Sequence, residues 1–215
     1  MKSMFFVLIG MGVTNIRPNR SLIFPSETDN SYVELTPKRP LNLQAFTLCM
    51  RVATELSGNR EIILFAYRTT NADEPELCGG RLSLYLSASS GATFQVPDLG
   101  ALQSHLCFTW DSGSGATALF MNGKKSLTKI YRKNHNVSSG GKTILGQDPD
   151  SLLGDFEADQ SFVGEINDVN MWSSVLSDRT IQDMFSGMRV PRPDVLDWKT
   201  TQLQKHGGAE ILTTE

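Results

Sequence analysis

The chain has 215 residues, 40% of them hydrophobic and 20% charged, with a net charge of -3 at neutral pH. That length and apolar share suit one packed domain and exclude a disordered chain, and the mild acidity argues against a nucleic-acid partner, which favours a basic face. No apolar run reaches the roughly 18 residues that a membrane-spanning helix needs.

Lys2 is followed by the apolar run Met4-Phe5-Phe6-Val7-Leu8-Ile9-Gly10-Met11-Gly12-Val13. One cation ahead of about ten apolar residues has the form of a signal peptide. Residues 1–14 are assigned to it, with cleavage after Thr14, and a secreted, extracellular protein follows; a buried first strand is the alternative. Asn19-Arg20-Ser21 and Asn136-Val137-Ser138 have the form of N-glycosylation acceptors. Short runs with strand character come next, at 21–24, 31–35, 46–56, 61–67, 81–87, 93–96, 105–111, 116–121, 142–145 and 162–172. Turn residues separate them, with Asn122-Gly123 the clearest two-residue hairpin signal. Many short strands at such spacing predict an all-β protein, a two-sheet antiparallel jelly-roll β-sandwich of the concanavalin or laminin-G kind. One helix lies on one face: Ser177 is its N-cap, Asp178 meets the positive end of its dipole, Ile181, Met184 and Phe185 form an apolar face, and Gly187 stops it. Residues 20–204 read as a single domain and 205–215 as a polar C-terminal tail.

Phe46, Leu48, Met50 and Val52 alternate with Thr47, Cys49 and Arg51, and Leu106, Phe108 and Trp110 alternate with Cys107 and Thr109. Each run reads as a half-buried strand with its cysteine opposite the apolar stripe. In a secreted chain this pairs Cys49 with Cys107 as a disulfide. Cys78, beside Gly79-Gly80, is left over near a loop, either as a free thiol or as an intermolecular link.

Between Gly146 and Gln160 stand five carboxylates, those of Asp148, Asp150, Asp155, Glu157 and Asp159. Crowding that much negative charge is unfavourable unless a cation neutralises it, and an all-oxygen set suits calcium or magnesium rather than zinc. Asp148 and Asp150 project the same way from extended chain, and Gly154 lets the chain turn back toward Glu157 and Gln160. The spacing is not that of an EF-hand, and a solvated acidic loop is the alternative. Asp148 and Glu157 could also serve as the carboxylate pair of a glycosidase. However, no such pair lies on strands in an apolar cleft, and none of His105, His135 and His206 joins a serine or cysteine in a nucleophilic motif, so the chain is not read as an enzyme.

His105-Leu106-Cys107-Phe108-Thr109-Trp110-Asp111-Ser112 resembles the pentraxin signature His-x-Cys-x-Ser/Thr-Trp-x-Ser at every fixed position. The likeness extends through Ile144-Leu145-Gly146-Gln147 and Val163–Trp172 and covers about Ser21 to Trp198. It implies a calcium-dependent pattern-recognition protein of innate immunity that binds two calcium ions per protomer. By the same resemblance, Asp148, the carbonyl of Pro149, Asp150, Glu157 and Gln160 are ligands. So are Asp73 and Glu74 in an earlier loop, where the family has Asp-Asn. The ions then hold phosphate-bearing or other anionic carbohydrate groups on microbes or damaged cells. Tyr85 resembles a ligand-contacting tyrosine of one branch. The phenylalanine and glutamate that complete a phosphocholine pocket in another branch are replaced by Cys78–Gly80 and Gly91, which counts against a choline preference. Complement engages the family on the opposite face, where Asn122 and Phe185 replace an aspartate and a tyrosine. The resemblance also implies a homo-oligomer, a cyclic pentamer. The competing readings are a secreted jelly-roll carbohydrate-active enzyme and a laminin-G-like adhesion module.

Overall fold

The computed structural model describes residues 19–56, 62–70, 73–79, 81–87 and 89–214, with 73–74 and 77–79 as backbone only. The expected leader and its cleavage site therefore lie outside the described residues. In chain order the strands are β1 (Asn19–Phe24), β2 (Val33–Thr36), β3 (Ala45–Ala53), β4 (Ile62–Arg68), β5 (Asp73–Gly79), β6 (Leu82–Tyr85), β7 (Ala92–Phe94), β8 (Ser104–Asp111), β9 (Ala116–Met121), β10 (Lys124–Lys125), β11 (Lys129–Ile130) and β12 (Lys142–Leu145). A single 3-10 turn, Ala158–Gln160, precedes β13 (Gly164–Trp172), the helix α1 (Asp178–Phe185), β14 (Gln202–Lys205) and β15 (Glu210–Thr214).

Two antiparallel sheets face each other. One runs β10-β9-β8-β3-β13-β1-β15, with β11 also on β9, and the other runs β14-β2-β12-β4-β5-β6-β7. Their inner faces supply one core, which includes Phe24, Phe46, Phe108 and Trp110 from the first sheet and Leu35, Phe65, Tyr67 and Leu84 from the second. The expected sandwich with one α-helix on one face is what forms. The hairpin between β9 and β10 turns at Asn122 and Gly123, whose φ values of 51° and 75° are those of the I′ turn that matches strand twist.

Strand β8 is buried on both sides rather than half-buried. Its second face, with Cys107, joins Cys49, Ala118, Phe120 and Trp172 beneath Ile181 and Met184 of α1. The helix docks as its sequence dictates. Ser177 Oγ accepts from the Thr180 N–H. At the other end the Gly187 N–H reaches the Met184 carbonyl and the Met188 N–H reaches that of Asp183, a Schellman cap with Gly187 at a φ of 74°. The Cys49–Cys107 disulfide lies in this layer, between residues directly opposite on β3 and β8.

His105 belongs to the same layer. It is 1% exposed, and its Nε2 lies 3.6 Å from Cys107 Sγ. Burial, reinforced by the charge of Arg51, lowers its pKa from 6.5 to about 4. Between those values the unfolded chain takes up a proton that the folded chain refuses. Stability from this group is complete above pH 6.5 and falls as pH drops toward 4, by about 3 kcal/mol at 1.36 kcal/mol per pKa unit. Urea unfolding across that window should show the slope, and His105→Gln should flatten it.

Three elements depart from expectation. The run 73–79, expected as loop around Asp73 and Cys78, is a strand. Pro75 falls where the β4–β5 register slips between Ala66↔Glu76 and Arg68↔Asp73, and such a bulge is where a sheet tolerates proline. Cys78 thus stands in β5 opposite Ile63 and Ser83, with its side chain outside the description. Residues 205–215, expected as a polar tail, instead finish β14 on β2 and form β15 on β1. Edge strands with water on one side carry few apolar residues, so the composition concealed them. In β13, Ile166 and Val169 both enter the core although three residues apart. The register shift between Asn167 and Asn170, with Asp168 at a φ of 52°, resets the alternation. Val163, just before β13, is only partly buried.

Candidate functional site

The acidic segment leaves the second sheet at the end of β12. Gly146 has a φ of 91°, and a Cβ there would run into the Phe24 ring, so glycine alone fits this exit. The Phe162 N–H bonds the Gly146 carbonyl at 3.0 Å and closes the base of the loop. Both arms are tied to the same neighbouring stretch. Gln147, fully buried, donates from Nε2 to the Thr28 carbonyl at 2.5 Å, and the Thr28 N–H donates to Ser161 Oγ at 3.4 Å. Within the loop the Ser151 N–H meets the Gly154 carbonyl, and the Gln160 N–H meets that of Glu157 as the 3-10 turn begins.

This loop covers the outer face of the second sheet. Cross-strand register lines up Glu34, Ile144, Ala66, Glu76 and Tyr85 on that face. Ile63, Ala66 and Ile144 are buried there although they point away from the core, and Tyr32, Tyr85 and Phe156 pack against them. Phe156 anchors the loop, its ring 4.9 Å from that of Tyr32, which in turn stacks on His206 at 4.2 Å.

Asp150 and Glu157 are exposed, Asp148 and Gln160 half-buried, and Pro149 buried. Arg68 donates from Nη2 to the Asp150 carbonyl at 2.6 Å and stands opposite Asp73 across β4 and β5. The backbone at Asp73 is thereby brought beside the acidic loop; the side chains of Asp73 and Glu74 lie outside the description. Among the described residues, no three of the carboxylates bring their oxygens within 4.8 Å of one another. Among the described residues, the group whose His, Cys, Asp or Glu ligand atoms all lie within 4.8 Å is Cys49, His105 and Cys107. Like charges stay apart without a cation between them. Gln160 Oε1, by contrast, is buried with no hydrogen-bond partner. Leaving such an acceptor unmet costs about 1–3 kcal/mol, and a hard cation is one group that satisfies a carbonyl oxygen. This donor set of carboxylates, an amide oxygen and a buried proline at the loop fits calcium.

Tyr85 lies on the outer face rather than in the core, its ring against Gly91. Sequence reasoning gave Glu76 no place, and it is buried between Ala66 and Tyr85. It also missed Arg68 and the Phe156–Tyr32–His206 stack. A strand assignment for 73–79 would have placed Glu76; nothing in the sequence points to the stack. Of the two glycosylation triplets, Asn19 opens β1 opposite Thr214, and Asn136 donates from Nδ2 to Asn42 Oδ1 at 2.8 Å. No described helix is long and apolar enough to cross a membrane.

Known proteins resemble the chain over nearly all of this architecture. A family model described as the Pentaxin family matches residues 20–212. A C-reactive protein of Danio rerio is 48% identical over 198 residues, which cover 89% of this chain and 88% of that protein. The serum amyloid P-component of Sus scrofa is 35% identical over 189 residues, 86% of this chain and 83% of that one. In three dimensions a native heptameric SAP-like pentraxin from Limulus polyphemus superposes with a TM-score of 0.81 at 22% identity, over 91% of this chain and 95% of that one, a likeness of fold. With its disulfide, its helix-capped sandwich and these relatives, the chain belongs to the pentaxin family.

Proposed function

We propose that this protein is a secreted, calcium-dependent recognition protein that acts by binding rather than catalysis. The acidic loop and the Asp73–Glu74 segment would supply the oxygen ligands for two calcium ions. Asp73, Glu74, Asp148, the Pro149 carbonyl, Asp150, Glu157 and Gln160 hold them. The observation that carries this reading is the buried, unpartnered Gln160 Oε1 in a loop that Arg68 ties to the backbone opposite Asp73. Open positions on two hard cations take a hard oxygen anion, so the ligand bears phosphate or an anionic carbohydrate group. Tyr85, on the same outer face, borders it. A phosphocholine preference is not expected, because Cys78–Gly80 and Gly91 replace the groups that would select choline.

A disulfide fits an oxidising, extracellular compartment, in line with the leader read at residues 1–14 and with glycan acceptors at Asn19 and Asn136. Several copies in a ring raise avidity without any new contact. The Limulus relative is heptameric, and for this chain we infer a cyclic pentamer. Complement is the partner proposed for the α1 face. The test is retention of the protein on a surface bearing phosphate monoester groups. It should bind in millimolar calcium and be released by a chelator. Retention that a chelator leaves unchanged contradicts the calcium-dependent reading.

A further inference from the structure

We propose that, once the Cys49–Cys107 disulfide is reduced, Cys49, Cys107 and His105 become a buried binding site for zinc(II) between β3, β8 and α1. This inference concerns the face opposite the acidic loop and does not depend on the calcium reading.

The ligand set is already assembled by the fold. The two cysteines are cross-strand partners with Cα atoms 4.0 Å apart, and His105 lies two residues before Cys107, on the same face of β8. The three candidate ligand atoms lie within 4.8 Å of one another. Zinc bonds of about 2.3 Å to sulfur and about 2.0–2.1 Å to nitrogen span such a group after small side-chain rotations. His105 supplies the second, independent observation. It is 1% exposed, its Nε2 points at Cys107 Sγ, and its Nδ1 is buried with no hydrogen-bond partner. Among the described residues no hydrogen bond to a protein oxygen commits Nε2 elsewhere.

The surroundings select a soft cation. Ala118, Phe120, Trp172, Ile181 and Met184 line the layer, and none brings an oxygen ligand. Two thiolates neutralise the charge of zinc(II), so the filled site is neutral, as an apolar layer requires. The fourth tetrahedral position is left to water. A thiol reductant supplies two electrons and two protons while its own two sulfurs join as a disulfide; the Cys49–Cys107 bond breaks to two thiols. Zinc binding then releases both thiol protons to solvent. The ion would take over the cross-strand link that the disulfide makes in oxidising surroundings.

The experiment uses calcium-saturated protein, oxidised or reduced by a phosphine, titrated with cobalt(II) and then with zinc(II). Reduced protein should take up one cobalt per chain with a thiolate-to-cobalt charge-transfer band that zinc abolishes, and zinc should raise its Tm. Oxidised protein should show no such band, and His105→Ala should bind at least tenfold more weakly. Absence of the band in reduced protein, or equal affinity in His105→Ala, overturns the proposal. If reduction alone costs the near-ultraviolet dichroism of the folded core, zinc should restore it, and failure to restore it overturns the proposal as well.

Discussion

Replacing Cys49 and Cys107 together by alanine should lower the unfolding free energy by about 4 kcal/mol, the chain-entropy value for a link across a sequence separation of 58. The site argues for the full effect. Both cysteines are wholly buried in the thin layer that seats α1, where Ile181 and Met184 close over them. Alanine restores neither the link nor the sulfur volume, so the layer loses packing as well. Since domains of this kind are stable by only about 5–15 kcal/mol, the variant should unfold at a clearly lower denaturant concentration. A loss under about 1 kcal/mol would mean that the two strands hold their register without the link.

The second large effect belongs to the acidic loop. Asp150→Asn should weaken calcium binding at least tenfold, about 1.4 kcal/mol, while leaving calcium-free stability nearly unchanged. Asparagine keeps the shape and one oxygen but removes the charge that a hard cation favours. The side chain is exposed, and what fixes this part of the loop is the Asp150 backbone carbonyl, which accepts from Arg68 and survives the substitution. If the loop were merely a solvated surface, removing one of several like charges would leave stability unchanged or raise it slightly, and no calcium effect would follow.

The sandwich was legible because period-2 alternation records which face of a strand is buried. That rule located β8, β9 and β12 almost to the residue and β3 to within three residues at its end, and capping chemistry did the same for α1. It failed where burial and alternation part company. Strand β5 carries Pro75 and acidic residues, and only its bulge against β4 makes it tolerable. Strands β14 and β15 lie at sheet edges and read as tail. The second face of β8 was taken as solvent-facing because a helix far along the chain covers it.

At the candidate site, sequence supplied the carboxylates, which stand close together in one segment. It could not supply the convergence. Arg68 joining Asp150 to the strand that bears Asp73, Glu76 buried beside Tyr85, and Phe156 clamped on Tyr32 are products of register between distant strands. The glutamine oxygen without a partner is visible only once the loop is closed.

The most direct measurement is calorimetric titration of calcium into chelator-stripped protein, run in parallel on Asp150→Asn. Two saturating sites per chain are expected in the unsubstituted protein, with at least a tenfold loss of affinity in the variant. No heat of binding at millimolar calcium, or identical curves for the two proteins, would contradict the calcium-dependent reading and leave the loop a solvated acidic surface on a pentaxin fold.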